Sequence, residues 1–215
     1  TIMGERCSGT NFLENAIEKN FEIELIWHYG YKHFFGYYNY NNKNPIIDND
    51  DDVLFLGIIR EPISLIDSLY DKIHHIPDIN KNDINKFLNN EFYSIDDNKN
   101  EIMQDRNYKN GARYKNIFEM RKYKNQYLIN HNKRVKNYLL IRYEDLKNKY
   151  EGILMFLENK YKLKRKNKSY AKISSYKGHG NKEYQEKKIM LNKNVINKIK
   201  NKLNYNQEKI LGYLL

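Results

Sequence analysis

The sequence contains few of the residues on which several protein classes depend. Its 215 residues include one cysteine, three prolines and one tryptophan. The single cysteine, Cys7, excludes an intramolecular disulfide framework and favours a reducing compartment, so we expect a cytoplasmic protein. No run approaches the roughly eighteen apolar residues of a membrane-spanning helix, which predicts a soluble chain with no membrane span. The hydrophobic share of 40% is still enough for a core and excludes wholesale disorder.

Negative charge is the other deficit. Asp and Glu number 27 against 38 Lys and Arg, which leaves a formal net charge of +11. Such an excess favours an anionic partner, whether nucleic acid, nucleotide, acidic glycan or membrane surface. Part of it is compositional, because 32 Asn and 20 Tyr accompany the lysines, as is typical of AT-rich genomes such as those of giant DNA viruses. The local placement of charge is therefore more informative than its sum.

Hydrophobic patterning predicts strands that alternate with helices along the chain. Residues 53–59 form an almost unbroken apolar run, as expected of a central parallel strand that is covered on both faces. Residues 78–136 are predicted to be a largely helical insertion, and 162–188 a basic C-terminal loop. Further strands are predicted at 1–3, 22–27 and 137–142, and helices at 11–20, from 62, at 146–157 and at 195–215. The pattern predicts one α/β domain over 1–215, with three layers, a mostly parallel sheet and helices on both faces.

The most informative motif lies between the first predicted strand and the first helix. It reads Gly4-Glu5-Arg6-Cys7-Ser8-Gly9-Thr10-Asn11. The two glycines have the spacing of a Walker A loop, in which backbone N–H groups and a helix N-terminus converge on a phosphate. Thr10 and Asn11 stand where a Walker A loop has Lys and Ser or Thr, which disfavours a Mg-nucleotide enzyme. The motif predicts an anion-binding loop, with a plain strand-to-helix turn as the alternative.

A second motif, Arg60-Glu61-Pro62 with Ser68, follows the central strand. Ligands of open α/β sheets bind at the carboxyl ends of the strands, where Arg60 is expected to lie. An arginine can bind a phosphate with two parallel hydrogen bonds, and a hydroxyl on the following helix can add another. We therefore predict a second anion site at Arg60 and Ser68, next to the first.

These motifs resemble those of the P-loop-like sulfotransferases, which use 3′-phosphoadenosine 5′-phosphosulfate (PAPS). The subgroup that is most similar has GER-x-SGTN at the loop, WKH-like residues after the second strand, and a late RYEDL. The counterparts here are Gly4 to Asn11, Tyr31-Lys32-His33 and Arg142-Tyr143-Glu144-Asp145-Leu146. The resemblance covers roughly residues 1–150, in order. One departure is Cys7, which stands where many members have Lys or Arg, with Arg6 one position earlier.

The resemblance implies a P-loop NTPase-like fold and a reaction. The loop would hold the 5′-phosphosulfate of PAPS, and Arg60 with Ser68 the 3′-phosphate. The family's basic loop over the 3′-phosphate has its counterpart at Lys177-Gly178-His179-Gly180. A sulfuryl group would pass to a hydroxyl or amine of an unidentified acceptor, which is a glycan, a small molecule or a peptide, and PAP would be released. No metal is required, because the sulfuryl group carries less charge than a phosphoryl group.

Catalysis would need a base for the acceptor and positive charge at the leaving oxygen. His33 is the first candidate base because histidine has a suitable pKa, with His28 and Glu5 as alternatives and a structural histidine as the competing interpretation. Lys32, Arg6 or the loop amides would stabilise the leaving group. Glu144 and Asp145 are expected to be structural and to cap a helix. Tyr37-Tyr38-Asn39-Tyr40 is a candidate acceptor groove.

Two other functions fit parts of the sequence. A P-loop kinase of nucleotides or small molecules would use the loop alone, but the Walker lysine is missing. A basic nucleic-acid-binding module would use Lys166 to Lys188 and the interleaved tyrosines. No recognised nucleic-acid motif is present, so no specific nucleic-acid partner is expected. His74 and His75 are adjacent and have no further ligand partner, so no metal site is predicted.

Overall fold

A computed structural model describes residues 1–35, 51–72, 75–174 and 188–213 of the chain. Its described part is an α/β structure around a small, open, three-stranded parallel sheet, with the strands in the order β1-β2-β3. The strands are β1 (Ile2–Met3), β2 (Phe55–Ile59) and β3 (Tyr138–Arg142). Ile2 pairs with Leu56, and Phe55 pairs with Tyr138. The strands predicted at 1–3, 53–59 and 137–142 are therefore present.

Helices supply most of the remaining regular structure. They are α1 (Thr10–Asn20), α2 (Pro62–Asp71), α3 (Ile84–Asn89), α4 (Ile117–Ile129), α5 (Tyr143–Asn148), α6 (Tyr150–Tyr161), α7 (Lys193–Lys202) and α8 (Tyr205–Ile210). Short 3₁₀ turns cover Asp78–Asn80, Met103–Asp105 and His131–Lys133. Irregular chain separates the helices of region 78–136, which is less helical than its sequence predicts. None of the helices in the described ranges is long and apolar enough to cross a membrane.

Strand β2 is the centre of the sheet because it is buried along its whole length. Its side chains alternate between two cores, as a period of two dictates. Leu56 and Ile58 pack in a cluster with residues of α1 and α6. Phe55 and Ile59 pack in another cluster with residues of α4 and the C-terminal segment. Both faces of β2 are thus covered. Arg60 follows its carboxyl end and contacts the loop that connects β1 to α1.

Helix α2 begins where the sequence predicts. Pro62 occupies its first position, where the missing N–H costs nothing. The Glu61 carboxylate accepts hydrogen bonds from the N–H groups of Ile63 and Ser64, at 3.1 and 2.7 Å, and so caps the helix. Ile66 and Leu69 are buried in its core-facing stripe. This cap fixes the direction in which the chain leaves Arg60.

The prediction of a strand at residues 22–27 is wrong. Phe21 forms an isolated antiparallel bridge with Arg165, and the Glu22 N–H donates to the Lys164 carbonyl at 2.8 Å. The backbone then turns, because the Gly30 N–H donates to the carbonyl of Trp27 at 3.0 Å. The alternation of the segment reflects the packing of Ile23 and Leu25 against the α1 and α6 core, and none of the strands in the described ranges pairs with it.

Candidate functional site

The loop from Gly4 to Gly9 connects β1 to α1 and is held by its own backbone. The Gly4 N–H donates to the Lys32 carbonyl at 2.9 Å, and the Ser8 N–H to the Glu5 carbonyl at 3.1 Å. Gly9 is the N-cap of α1 and gives it no side-chain cap. The first N–H groups of α1, which begins at the buried Thr10, have no acceptor within the helix, and Gly9 has no side chain that could cap them.

Glycine is required at both ends of this loop. A Cβ on Gly4 would lie 2.7 Å from the Ser8 hydroxyl and 2.7 Å from the Ile58 carbonyl oxygen. Gly9 has φ +100°, and a Cβ there would lie 2.4 Å from a ring carbon of Tyr143. The Ser8 hydroxyl is itself buried and has no hydrogen-bond partner among the described residues. The loop therefore places a buried hydroxyl that has no partner among the described residues next to the N-terminus of α1, which suits an anion.

Arg60 and Ser68 lie against this loop, so the two sequence motifs meet. The Arg60 Nη1 donates to the carbonyl of Cys7 at 2.9 Å. Its guanidinium carbon lies 5.0 Å from the ring centroid of Tyr143. The Arg60 Nε is buried and forms no hydrogen bond within the described ranges. Ser68 is buried in α2, and its carbonyl accepts the Cys7 thiol at 3.6 Å.

Arg6 belongs to a buried ion-pair network. Its Nη1 donates to Asp105 Oδ2 at 2.6 Å and to Ser94 Oγ at 3.0 Å. The Lys124 ammonium lies 2.5 Å from Glu5 Oε2 and also pairs with Asp105. Burial raises the pKa of Asp105, but Lys124 and Arg6 more than offset this and hold that pKa below its usual value. The positive charges of Arg6 and Lys124 and the negative charges of Glu5 and Asp105 therefore compensate each other.

The sequence did not reveal this network. Ser94, Asp105 and Lys124 come from the region between β2 and β3, far from the loop in sequence, and no motif marks them. Their contacts mean that this region supports the loop from the side. Arg6 was predicted to contact the cofactor or the leaving group, and its charge is instead balanced by Asp105.

His33 lies directly beside the loop. Its Nδ1 is 2.7 Å from the Gly4 carbonyl oxygen, and the Lys124 ammonium donates to the His33 carbonyl at 2.9 Å. Burial, and secondarily the positive charge of Arg6, lower the pKa of His33 to about 3, so the ring is neutral near pH 7. Because a carbonyl can only accept, Nδ1 carries the proton, and Nε2 is the unprotonated nitrogen.

Lys32 connects the same segment to α1. Its ammonium lies 2.6 Å from both Asn11 Oδ1 and Glu14 Oε1. The side chain is buried, so the pairing with Glu14 compensates its charge. Asn11, which was predicted to bind the cofactor, thus has a side-chain partner within the protein.

Burial raises the pKa of the Cys7 thiol to about 11, so this thiol is protonated at neutral pH.

The segment Arg142 to Leu146 holds several elements around the site. Glu144 Oε1 accepts the Glu61 N–H at 2.9 Å, and its Oε2 accepts the Tyr213 hydroxyl at 3.0 Å. Asp145 pairs with Arg142 at 2.7 Å. Glu144 and Asp145 lie in the first turn of α5 and make structural contacts, as predicted, although the N-cap residue Arg142 gives the helix no side-chain cap. Glu144 instead joins the start of α2 to the C-terminal segment.

Some of the predicted residues lie outside the described residues. These are Lys177 and Gly178 of the basic loop, Tyr37 to Tyr40, and His74. His75 is described, and its Nδ1 lies 3.0 Å from the Ile95 carbonyl oxygen. Among the described residues, no three His, Cys, Asp or Glu side chains are grouped so that they could hold a metal ion.

The comparisons leave the site to be interpreted from its own geometry. The chain matches no protein-family model, no curated protein and no solved structure.

Proposed function

We propose that this protein is a sulfotransferase that moves a sulfuryl group from PAPS to a hydroxyl or amine of an acceptor, on a three-layer, P-loop-like α/β domain. The observation that carries the proposal is the contact between Arg60 and the carbonyl of Cys7. It joins two polar elements at the carboxyl ends of neighbouring parallel strands. A nucleotide with phosphate groups on both sides of one ribose needs two such elements, whereas a simple kinase needs only the loop.

The residues of the site fit this nucleotide. Ser8 Oγ and Arg60 Nε are buried polar atoms that lack partners within the described ranges, and burying such atoms is costly unless a ligand satisfies them. Gly4 lets the loop approach β2 closely, because a Cβ there would lie 2.7 Å from both the Ser8 hydroxyl and the Ile58 carbonyl oxygen. The loop and the N-terminus of α1 would hold the 5′-phosphosulfate, and Arg60 with Ser68 the 3′-phosphate.

The balance of charge favours Arg60 as the main anion contact. Arg6, Lys124 and Lys32 are each paired with a carboxylate. Within the described ranges no carboxylate pairs with Arg60, whose contacts are a carbonyl oxygen and an aromatic face. An incoming phosphate would meet an uncompensated guanidinium there, which can donate from two nitrogens at once.

We assign the role of base to His33, which lies beside the loop. Bound PAPS would supply the sulfuryl group: the acceptor oxygen would bond to sulfur as the bond from sulfur to the phosphate oxygen breaks, and the phosphate oxygen would keep the electron pair. His33 Nε2 takes the proton of the acceptor hydroxyl, while Nδ1–H remains bonded to Gly4. The negative charge of a bound nucleotide favours the imidazolium and so raises the pKa of His33 from its low value.

The leaving oxygen is best matched to the loop amides and the N-terminus of α1. These groups would favour negative charge on a phosphate bound at the loop without breaking an ion pair. Lys32 and Arg6 remain predicted contributors, but each would first have to leave a carboxylate, Glu14 or Asp105.

Titration calorimetry with PAP, with AMP and Mg-ATP for comparison, tests the proposal. We expect micromolar PAP binding without metal and much weaker AMP binding. Arg60→Ala should weaken PAP binding more than about tenfold, because a charge-assisted hydrogen bond contributes about 1.5–3 kcal/mol. Arg113→Ala is the matched control, since Arg113 pairs with Glu101 away from the loop. Binding of Mg-ATP without PAP would contradict the proposal and favour a kinase.

A further inference from the structure

Two exposed aromatic rings lie beside the candidate base. Trp27 is 38% exposed and Tyr31 is 48% exposed, although aromatic rings contribute most to stability when buried. Their ring centroids are 6.0 Å apart and the ring planes are tilted by 44°. The Tyr31 ring also lies edge-on to His33, with 5.4 Å between the centroids. We call the Trp27 and Tyr31 pair the aromatic platform.

The Lys32 side chain contacts both rings of the platform. The Lys32 ammonium lies 5.9 Å from the centroid of the Trp27 ring and 5.7 Å from that of the Tyr31 ring. This ammonium is itself fixed to Asn11 and Glu14 of α1. Two turns frame the rings, because the Gly30 N–H donates to Trp27 and the Phe34 N–H to Tyr31. The exposed rings are therefore attached to the same helix whose N-terminus faces the anion loop.

The local charge differs from that of the whole chain. Lys32, the nearest cation, is compensated by Glu14 at 2.6 Å. The segment that leads into the platform has no basic residue between Phe21 and Trp27, and its Glu22 is compensated by Lys164 at 2.6 Å. An acidic acceptor would need uncompensated cations at this place, and the described residues provide none beside the rings. The platform therefore suits a neutral acceptor.

The shape of the platform distinguishes between neutral acceptors. A flat phenol is best held between parallel walls, but these two rings are tilted and partly exposed to solvent. A pyranose can place its C–H face on one ring and keep its hydroxyls in water. One of those hydroxyls can then reach His33 Nε2, since His33 contacts the Tyr31 ring. We infer that the acceptor is a neutral carbohydrate bound on Trp27 and Tyr31, an inference that rests on the proposed function for its chemistry.

The only tryptophan of the chain is in the platform, so its fluorescence reports binding there. The full chain would be titrated with cellohexaose, maltohexaose and chitohexaose, and separately with a heparin hexasaccharide and with 4-methylphenol. At least one neutral oligosaccharide should change the Trp27 emission saturably, with an affinity that added salt hardly alters. Tyr31→Ala should weaken that binding about two- to tenfold, the range of one aromatic contact, while PAP affinity is retained. Tyr205→Ala removes an equally exposed ring elsewhere and should change nothing.

The outcomes separate this inference from the proposed function. A saturable response to a neutral oligosaccharide, lost in Tyr31→Ala but not in Tyr205→Ala, supports the platform even if PAP does not bind. No response to any of the three oligosaccharides overturns it, even if PAP binds as expected. A response only to the heparin fragment, or only to 4-methylphenol, also overturns it and assigns an acidic or a phenolic acceptor instead.

Discussion

The Tyr143 ring lies beneath the Arg60 guanidinium, with 5.0 Å between the guanidinium carbon and the ring centroid. The same ring takes the space where Gly9 would carry a side chain, 2.4 Å from the position of a Cβ. One aromatic residue thus contacts both the anion loop and the arginine of the second site. Tyr143 belongs to the Arg142–Leu146 motif, for which the sequence predicted no contact with the site. Its ring holds the anion loop and Arg60 next to each other.

Replacing Tyr143 tests this positioning role. Tyr143→Phe keeps the ring and should leave PAP affinity almost unchanged. Tyr143→Ala removes the face on which Arg60 rests and should weaken PAP binding by about twofold to thirtyfold, the range of a cation–π contact. Calorimetry measures both variants. A purely structural role would lower the melting temperature without changing the PAP to AMP affinity ratio, which would contradict positioning through Arg60.

Asp105 should be essential for the stability of the loop. Asp105→Asn removes one carboxylate from a buried network and leaves Arg6 and Lys124 to share Glu5. Breaking a buried pair by removing one partner costs about 3–5 kcal/mol, so thermal unfolding should shift strongly downward. Asp78→Asn is the control, since Asp78 pairs with Lys81 and Lys99 at the surface and should leave the melting temperature unchanged. If Asp105→Asn and Asp78→Asn lowered the melting temperature by the same small amount, the prediction that the buried network stabilises the loop would be wrong.

Short sequence patterns correctly predicted the central strand, the start of α2 and the position of the loop between β1 and α1. The apolar run before Arg60 is typical of a strand covered on both faces, and Pro62 marks the first turn of the helix that follows. The glycine spacing and the strand-to-helix setting likewise fix the loop from Gly4 to Gly9. Because parallel strands end at one edge of the sheet, the sequence also predicted that Arg60 lies next to the loop, and the observed strand order agrees.

The errors and omissions concern contacts between distant parts of the chain. The alternation at 22–27 imitates a strand, since burial of every second residue against a helix pair gives the same period. Asp105 and Lys124 approach the loop only through the tertiary fold, so no spacing in the sequence could reveal them. The pairing of Arg6 and Lys32 with carboxylates was missed for the same reason.

His131 should make the protein less stable in mild acid. The ring is fully buried, and its nitrogens have no hydrogen-bond partner in the described part of the chain. Aromatic rings of Phe55, Tyr127 and Tyr138 surround it, with centroids 5.0 to 5.2 Å away. Burial, and to a lesser extent Arg134, lowers the pKa of His131 from its ordinary value of 6.5 to about 4. The unfolded chain therefore binds more protons between these values, so the free energy of unfolding falls as pH drops through that window.

The variant His131→Phe isolates this contribution. It keeps a ring among the aromatic neighbours and removes the titrating group, so its urea stability should lose the part of the pH slope, about 2–3 kcal/mol between pH 7 and 4, that His131 supplies. His75→Phe is a control for a histidine that hydrogen-bonds to a backbone carbonyl, and it should retain that slope. An unchanged slope in His131→Phe would show that other groups control the acid response.

His33→Asn separates the proposed chemistry from the structural role of the ring. The amide side chain of that variant can still donate to the Gly4 carbonyl, which His33 Nδ1 does at 2.7 Å, but it cannot take a proton. Sulfuryl transfer from PAPS to the responding acceptor should fall by about 10²–10⁴-fold, as expected for loss of a general base, while PAP affinity is retained. Because the pKa of His33 is about 3 in the free protein, wild-type kcat/KM should show no acid limb from His33 between pH 5 and 7. A fully active His33→Asn would transfer the role of base to His28 or Glu5, and since Glu5 is paired with Lys124, His28 would be examined first.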